Sequence, residues 1–184
     1  MGDHVLFFYG TLMAPPVLHR VIHGHPTPEK WQRDLLTIKP AILHSYRRHR
    51  VRHADYPGIV SVSTDPNTDA NTGPESSVLG TVVSGLTDGD VYRLDMFEGS
   101  EYEKREVVVR VLGKRGEGEG EEGVRGVLDK MEDGANAVGE GVEVRAVTYV
   151  WTAGEERLED AEWDFEAFKR DKMAWWVEAD KKDW

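Results

Sequence analysis

Residues 7–13, FFYGTLM, join an apolar run to a glycine at a point where the backbone could bind an anion. A run rich in Val, Leu and Phe that stops at Gly10 predicts a short buried strand, since glycine tolerates a close backbone approach. Backbone N–H groups left unpaired after such a strand can point together and hold an anion. The alternative is an N-terminal strand followed by an ordinary turn, which these residues alone also fit.

His19 and His23 lie four residues apart in a segment that Pro15 and Pro16 could open as a helix and that Gly24 would end. An i, i+4 histidine pair is metal-ligand spacing, but no carboxylate is positioned to complete the site. Histidines are also favourable near a helix C-terminus. The sequence contains neither a P-loop nor a GxGxxG motif. We expect neither a metal nor a cofactor.

The charge balance limits the classes of partner. The 184 residues include 23 basic and 34 acidic side chains, a net charge of −11, and no cysteine. Such a surface repels phosphate backbones and anionic membranes, and the absence of cysteine excludes disulfides and thiolate chemistry. The N-terminus lacks a signal-peptide pattern, and no run of about 20 apolar residues occurs. We expect a soluble cytoplasmic protein that binds neither nucleic acid nor a membrane.

One basic cluster interrupts this acidic chain. Its members are Arg47, Arg48, Arg50 and Arg52, interleaved with His49 and His53. Alternation along a strand would place one set of these side chains outward. The cluster therefore fits a solvated strand edge, and it also fits a surface that attracts anions.

The elements that must position these residues are mostly strands separated by turns. Apolar alternation predicts strands at 40–46, 59–63, 78–83, 102–112 and 142–151, with Gly80 a point of close backbone approach. Helical spacing predicts helices at 15–23, 31–36, 86–97 (with Asp88 as N-cap) and 158–177. Polar or low-complexity insertions occupy 64–77 and 113–141. This pattern predicts one α+β domain, a small mixed or antiparallel barrel flanked by short helices, with a long C-terminal helix near 155–180.

Three further sequence elements occur together. They are Tyr9-Gly10-Thr11-Leu12, Tyr56-Pro57-Gly58, and Leu94-Asp95-Met96-Phe97-Glu98-Gly99 with Tyr102 close behind. In this combination and order they resemble the gamma-glutamyl cyclotransferase-like family, in the branch that contains the plant avirulence-induced proteins. The similarity extends from Phe7 through the strand that ends at Trp151, which is most of the chain.

The resemblance implies a fold and a reaction. The family fold is a small β-barrel flanked by helices, in agreement with the pattern above. The turn at Tyr9, Gly10, Thr11 and Leu12 would bind the α-carboxylate of a γ-glutamyl group through backbone N–H groups, and Glu98 aligns with the catalytic acid/base. In the reaction the α-amine attacks the γ-carbonyl, which releases an amine or amino acid and leaves 5-oxoproline.

The chemistry of a carboxylate suits that role. A single carboxylate can accept a proton from the α-ammonium and return it to the leaving nitrogen, so neither a covalent intermediate nor a metal is required. Glutamate has a free pKa of about 4.3, and Met96 and Phe97 would raise it by desolvation if they line the same cavity. The carbonyl oxygen needs a donor, which backbone N–H groups near Gly10 or the Tyr102 hydroxyl could supply. The alternative is a carboxylate-binding or regulatory module without turnover, in which Glu98 only ends a helix.

Overall fold

The computed structural model describes residues 2–62, 76–113 and 140–178. Its strands are β1 His4–Phe8, β2 Thr37–His44, β3 Tyr46–Arg50, β4 Pro57–Ser61, β5 Ser77–Leu86, β6 Tyr102–Leu112 and β7 Glu140–Trp151. Its α-helices are α1 Pro15–His23, α2 Lys30–Arg33, α3 Asp88–Glu98, α4 Phe165–Asp171 and α5 Met173–Glu178. Most of the 64–77 and 113–141 insertions lies outside the described residues.

Five strands close into a barrel in the order β1-β5-β2-β6-β7, and β3 and β4 form a separate two-stranded sheet. Neighbouring strands in the barrel are antiparallel, except that β1 and β7 close it in parallel through the pair Leu6 and Val147. The predicted mixed barrel with flanking helices is therefore confirmed. None of the described helices has the length and apolar character needed to span a membrane.

The alternation of β1 divides the core into two clusters. Phe7 and Tyr9 pack with side chains from the other barrel strands, whereas Leu6 and Phe8 pack with α1 and the C-terminal aromatic residues. This is the period-two pattern of a strand buried on both faces. At Gly80 an added Cβ would overlap the Phe8 carbonyl oxygen, so the close approach predicted there is confirmed.

Helices α1 and α3 begin and end at residues that suit their termini. Helix α1 starts at Pro15 and ends before Gly24, whose φ of 85° is left-handed, as expected from the sequence. The N-cap of α3 is Thr87, so the choice of Asp88 is wrong by one residue. The Thr87 hydroxyl accepts a hydrogen bond from the Asp90 N–H, and the Asp90 carboxylate accepts one from the Thr87 N–H. This reciprocal pair is a capping box, which Asp88 cannot form from its position.

The expected long C-terminal helix is wrong. The chain instead forms α4 and α5, two short helices interrupted at Lys172, whose φ of −125° is not helical. Helix α4 begins only after Asp164, whose carboxylate caps it by accepting a hydrogen bond from the Ala167 N–H. The aromatic residues of this segment pack against the body of the domain, because Phe165, Phe168 and Trp176 belong to the same cluster as α1. Helix α2, at Lys30–Arg33, is likewise shorter than the 31–36 predicted.

Candidate active site

Glu98 is the last residue of α3, and the next residue turns the chain sharply away. Gly99 has φ 74° and ψ −164°, a region that essentially only glycine occupies, and its N–H donates to the Asp95 carbonyl. No heavy atom lies within 4 Å of the position of an added Cβ. Backbone conformation, rather than lack of space, therefore requires glycine here.

The Glu98 side chain lies in the same cavity as the turn after β1. The cavity comprises about 310 Å³ of empty space, part of it open to solvent. Its lining consists of Phe7, Phe8, Tyr9, Gly10, Thr11, Leu12, Tyr56, Pro57, Glu98, Tyr102 and Tyr149. The structure thus brings together all six site residues expected from the sequence: Tyr9, Gly10, Thr11, Leu12, Glu98 and Tyr102.

Three residues of the turn that line this cavity have backbone N–H groups without a partner among the described residues. A 3-10 turn at Thr11–Met13 begins with the Met13 N–H donating to the Gly10 carbonyl at 3.0 Å. The N–H groups of Gly10, Thr11 and Leu12 precede the first bond of the turn, and none donates to another residue within the described ranges. A Cβ on Gly10 would lie 2.8 Å from the Pro57 ring, so the turn packs closely against β4. An anion in the cavity could accept from these donors.

A buried arginine holds the carbonyl just before the turn. Arg48 Nη1 donates to the Tyr9 carbonyl oxygen at 2.9 Å, and Arg48 Nη2 donates to Glu162 at 3.0 Å. Its guanidinium also lies 5.5 Å from the centre of the Trp163 ring. The basic cluster is therefore not simply a solvated edge. Arg48 holds the turn in place through the Tyr9 carbonyl. The sequence indicated only that Arg48 belongs to a basic cluster, not that it has this role.

The other members of the basic cluster contact the C-terminal segment. Arg47 donates to the Asp160 carbonyl at 2.7 Å, and Arg50 lies 3.5 Å from the Glu159 carboxylate. Backbone hydrogen bonds also join Arg50 to Glu159 and Ala161. The edge of the small sheet is thus partly covered by the chain itself.

The environment of Glu98 favours its protonated form. Desolvation, followed by the nearby negative charge of Asp95, raises the pKa of Glu98 from 4.5 to about 8. The residue as a whole is partly exposed, but its carboxyl group makes no hydrogen bond or ion pair with any residue that the structure describes. The expectation that Met96 and Phe97 line this cavity and desolvate Glu98 is wrong, because neither belongs to its lining and Met96 is 67% exposed. Tyrosine and phenylalanine rings of the lining surround Glu98 instead.

The three deepest tyrosines donate their hydroxyl protons to protein acceptors. Tyr9 donates to the Tyr149 carbonyl at 2.6 Å, Tyr102 to the Pro57 carbonyl at 2.7 Å, and Tyr149 to Asp95 at 2.8 Å. Burial is the main cause that raises the pKa of each of these tyrosines, so they stay neutral; the hydrogen bond to Asp95 adds to the effect at Tyr149, and the charge of Glu98 adds to it at Tyr9. Because the Tyr102 proton is already donated, the backbone N–H groups of the turn are the better donors for a carbonyl oxygen.

Asp95 links the catalytic candidate to β6 and β7. It accepts hydrogen bonds from the Tyr149 hydroxyl at 2.8 Å and from Lys104 Nζ at 2.9 Å. Two basic residues follow Tyr102 closely in the chain. Lys104 faces α3, whereas Arg105 pairs with the exposed Glu103 at 3.3 Å. Asp95 therefore braces the end of the helix.

The histidine pair on α1 does not form part of this cavity. The rings of His19 and His23 stack with their centres 5.6 Å apart. Within the described residues, no group of three or more His, Asp or Glu side chains is arranged to hold a metal ion.

The barrel and its cavity define a known class of protein. The family model described as "Gamma-glutamyl cyclotransferase, AIG2-like" matches residues 6–165, so the chain belongs to this family. Among individual relatives, Protein AIG2 C of Arabidopsis thaliana is 27% identical over 167 residues, covering 91% of this chain and 73% of the relative. AIG2-like protein D of the same plant is 24% identical over 179 residues, covering 97% and 88%.

Solved structures are similar in fold. Two Arabidopsis thaliana proteins determined in solution superpose with TM-scores of 0.53 and 0.52, each at 24% identity. The first alignment covers 98% of this chain and 81% of its counterpart, and the second covers 91% and 80%. At this identity the likeness bears on the fold alone.

Proposed function

We propose that this protein is a γ-glutamyl cyclotransferase-type enzyme with Glu98 as its acid/base. The observation that carries the proposal is the placement of an unpaired Glu98 carboxyl in one cavity with the Tyr9, Gly10, Thr11 and Leu12 turn. A pocket that only bound a carboxylate would have no need of an ionisable side chain beside the binding turn. A proton-transfer role gives that group a function.

In the proposed reaction, Glu98 moves one proton between two nitrogens. The ionised carboxylate removes a proton from the substrate α-ammonium, and the freed amine attacks the γ-carbonyl carbon to form the ring C–N bond. The protonated Glu98 then gives the proton to the leaving nitrogen as its C–N bond breaks. The ring nitrogen then loses its second proton to the released amine, so the products are 5-oxoproline and the amine as its ammonium ion, and Glu98 is ionised again.

The raised pKa of Glu98 suits both halves of this cycle. At a pKa of about 8 the group is a stronger base than an ordinary glutamate, and it is still acidic enough to protonate a departing amide nitrogen. An incoming α-ammonium would also favour ionisation of Glu98, because an opposite charge stabilises the carboxylate.

The turn after β1 would supply the remaining interactions. The unpaired N–H groups of Gly10, Thr11 and Leu12 would bind the α-carboxylate of the substrate or the developing oxyanion. Arg48, held on the Tyr9 carbonyl, would keep that turn in place without contacting the substrate.

The test is release of 5-oxoproline from a panel of γ-glutamyl amides. The native protein should form product, and Glu98→Gln should lower kcat by about 10²- to 10⁴-fold, because the amide cannot transfer the proton. Binding of 5-oxoproline, measured by calorimetry, should be largely retained in the variant. Glu103→Gln is the matched control, since Glu103 lies on β6 with its side chain 59% exposed, and it should behave as the native protein does.

Two results would overturn the proposal. Equal rates in native protein and Glu98→Gln would remove Glu98 from the reaction. Binding of 5-oxoproline without turnover of any amide would instead favour a carboxylate-binding or regulatory module on the same barrel.

A further inference from the structure

A second, larger cleft opens on the outer side of Glu98. It comprises about 1240 Å³ of empty space, part of it open to solvent, and Glu98, Thr11, Tyr56 and Tyr102 line both this cleft and the inner cavity. Glu98 therefore stands at the junction between the two spaces. If the γ-glutamyl group occupies the inner cavity, its leaving group must extend into this outer cleft.

Aromatic side chains from four parts of the fold line the outer cleft. They are Tyr56 before β4, Phe97 at the end of α3, Tyr102 at the start of β6, and Trp175 and Trp176 on α5. The Trp176 ring lies 6.4 Å from that of Tyr56, 5.6 Å from that of Phe97 and 6.1 Å from that of Trp175, measured between centres. Such separations are those of interacting aromatic pairs.

The aromatic wall remains accessible at its outer end. Trp176 is buried at the centre of the group, whereas Trp175 is 51% exposed and Tyr56 and Phe97 are half-buried. Concave sites lined by aromatic rings with a few polar groups are characteristic of small-molecule binding. A flat ring placed against Trp175 and Tyr56 would replace water on apolar surface.

The charges around the cleft disfavour a negatively charged leaving group. Besides Glu98, the acidic residues Asp55 and Glu101 line it, and the described lining contains no lysine or arginine. Lys172 lies 3.9 Å from Asp55, and Arg157 lies 3.0 Å from Glu101, so these nearby cations are already paired. The exposed His53 is the one basic side chain on the described lining. A carboxylate in the cleft would therefore find no lysine or arginine on the described lining to pair with, and the two nearest cations are already engaged.

We propose that the outer cleft is the leaving-group subsite and that it accepts an amine carrying an aromatic ring and no carboxylate. This inference rests on the proposed function. The substrate would be a γ-glutamyl arylalkylamide: its α-amine closes the ring on the γ-carbonyl, the bond to the arylalkylamine nitrogen breaks, and Glu98 delivers the proton to that nitrogen. The products are 5-oxoproline and the free arylalkylamine.

The test compares three substrates that share the γ-glutamyl group. γ-Glutamyl-benzylamide carries an aromatic ring, γ-glutamyl-cyclohexylmethylamide is its saturated analogue, and γ-glutamyl-phenylalanine adds a carboxylate. We expect kcat/KM to be about tenfold or more higher for the benzylamide than for the phenylalanine conjugate. It should be a few-fold higher for the benzylamide than for the saturated analogue. The differences should lie mainly in KM, because the reacting groups are the same.

A variant of the exposed tryptophan locates the effect. Trp175→Ala should lower kcat/KM for the benzylamide about tenfold, and it should lower kcat/KM for the saturated analogue by less. Trp175→Phe should retain much of the preference for the benzylamide over the saturated analogue. Trp31→Ala is the matched control, because Trp31 is 65% exposed and lies outside the described lining of both cavities. It should leave all three values unchanged.

The outcomes separate this inference from the proposed function. Equal kcat/KM for the three substrates, or the same preference in Trp175→Ala, would overturn the aromatic subsite and leave the cyclotransferase proposal standing. Faster turnover of the phenylalanine conjugate would also overturn it, in favour of an amino acid leaving group. If none of the three substrates yields 5-oxoproline, the proposed function itself fails, and this subsite with it.

Discussion

Replacement of Asp95 by asparagine should lower the pKa of Glu98 and shift the acid limb of the pH–rate profile. Asp95 and Glu98 are three residues apart on α3, which places their side chains roughly 5–6 Å apart on one face. Asparagine keeps an oxygen that can accept hydrogen bonds from Tyr149 or Lys104, but it removes the negative charge. The substitution therefore tests the charge repulsion between Asp95 and Glu98 with little change in side-chain shape.

The magnitude follows from Coulomb's law. Two unit charges about 6 Å apart at an effective dielectric constant of about 20 interact by roughly 3 kcal/mol, and one pKa unit corresponds to about 1.4 kcal/mol. Lys104, which lies 2.9 Å from Asp95, remains in the variant, so its attraction for the Glu98 carboxylate does not change; Asp95 is also the smaller of the two causes that raise the pKa of Glu98. We therefore expect the pKa of Glu98 to fall by about one to two units from about 8, while desolvation keeps it above 4.5.

The assay is kcat/KM against pH for one γ-glutamyl amide, because this ratio reports ionisations of the free enzyme. The substrate amine titrates identically with each protein, so a difference between the profiles belongs to the enzyme. Asp88→Asn is the matched control: Asp88 begins the same helix, about 15 Å along the axis from Glu98, and its side chain is 99% exposed. An acid limb that stays in place in Asp95→Asn, or moves to higher pH, would refute the electrostatic reasoning.

Two further predictions concern stability. Because the folded state raises the pKa of Glu98, its contribution is fully present below about pH 4.5 and is lost as the pH rises through about 8. Glu98→Gln has no ionisable group at this position and should not show this loss. In denaturant titrations, the unfolding free energy of the native protein should therefore fall by on the order of 3–5 kcal/mol more than that of the variant between pH 4 and pH 9. A parallel pH dependence in both proteins would contradict the assignment. Gly80→Ala should destabilise the barrel or prevent folding, because its Cβ would overlap the Phe8 carbonyl oxygen and the Phe7 ring. A thermal midpoint within a degree or two of the native value would contradict that packing.

Local patterns predicted the barrel strands and the position of the turn. The alternation of apolar residues in β6 and β7 survives in the structure because those strands pair along nearly their whole length, from Tyr102 opposite Trp151 to Leu112 opposite Glu140. The break at Gly10 was recognisable from the glycine itself, although the contact that requires glycine there is a tertiary one with the Pro57 ring of β4. The strand pattern depends on a strict period, and the break depends on the residue type.

Features set by distant contacts were not predictable in the same way. The C-terminal aromatic residues have helical spacing in the sequence, but α4 begins only at Phe165. Just before it, the Trp163 indole donates a hydrogen bond to the Asp55 carbonyl. The role of Arg48 depends on Glu162, more than 100 residues away in the chain. The hydrogen bond that Asp95 accepts was not predictable from nearby residues, because its partner Tyr149 comes from the last strand of the barrel. In each case tertiary contacts overrode or completed the local pattern.

The most direct test of the central claim compares the titration of the Glu98 carboxyl with the rate it is proposed to control. Carbon-13 NMR of glutamate-labelled protein, with Glu98→Gln used to assign the signal, gives the pKa of Glu98, and kcat/KM for 5-oxoproline release is measured in the same buffers. We predict that the Glu98 carboxyl signal titrates near pH 8 and that kcat/KM rises with pH around the same value. Glu98→Gln should lose this pH dependence together with most of its activity. A carboxyl that titrates near 4.5, or a rate indifferent to its ionisation, would contradict the claim that Glu98 carries the proton.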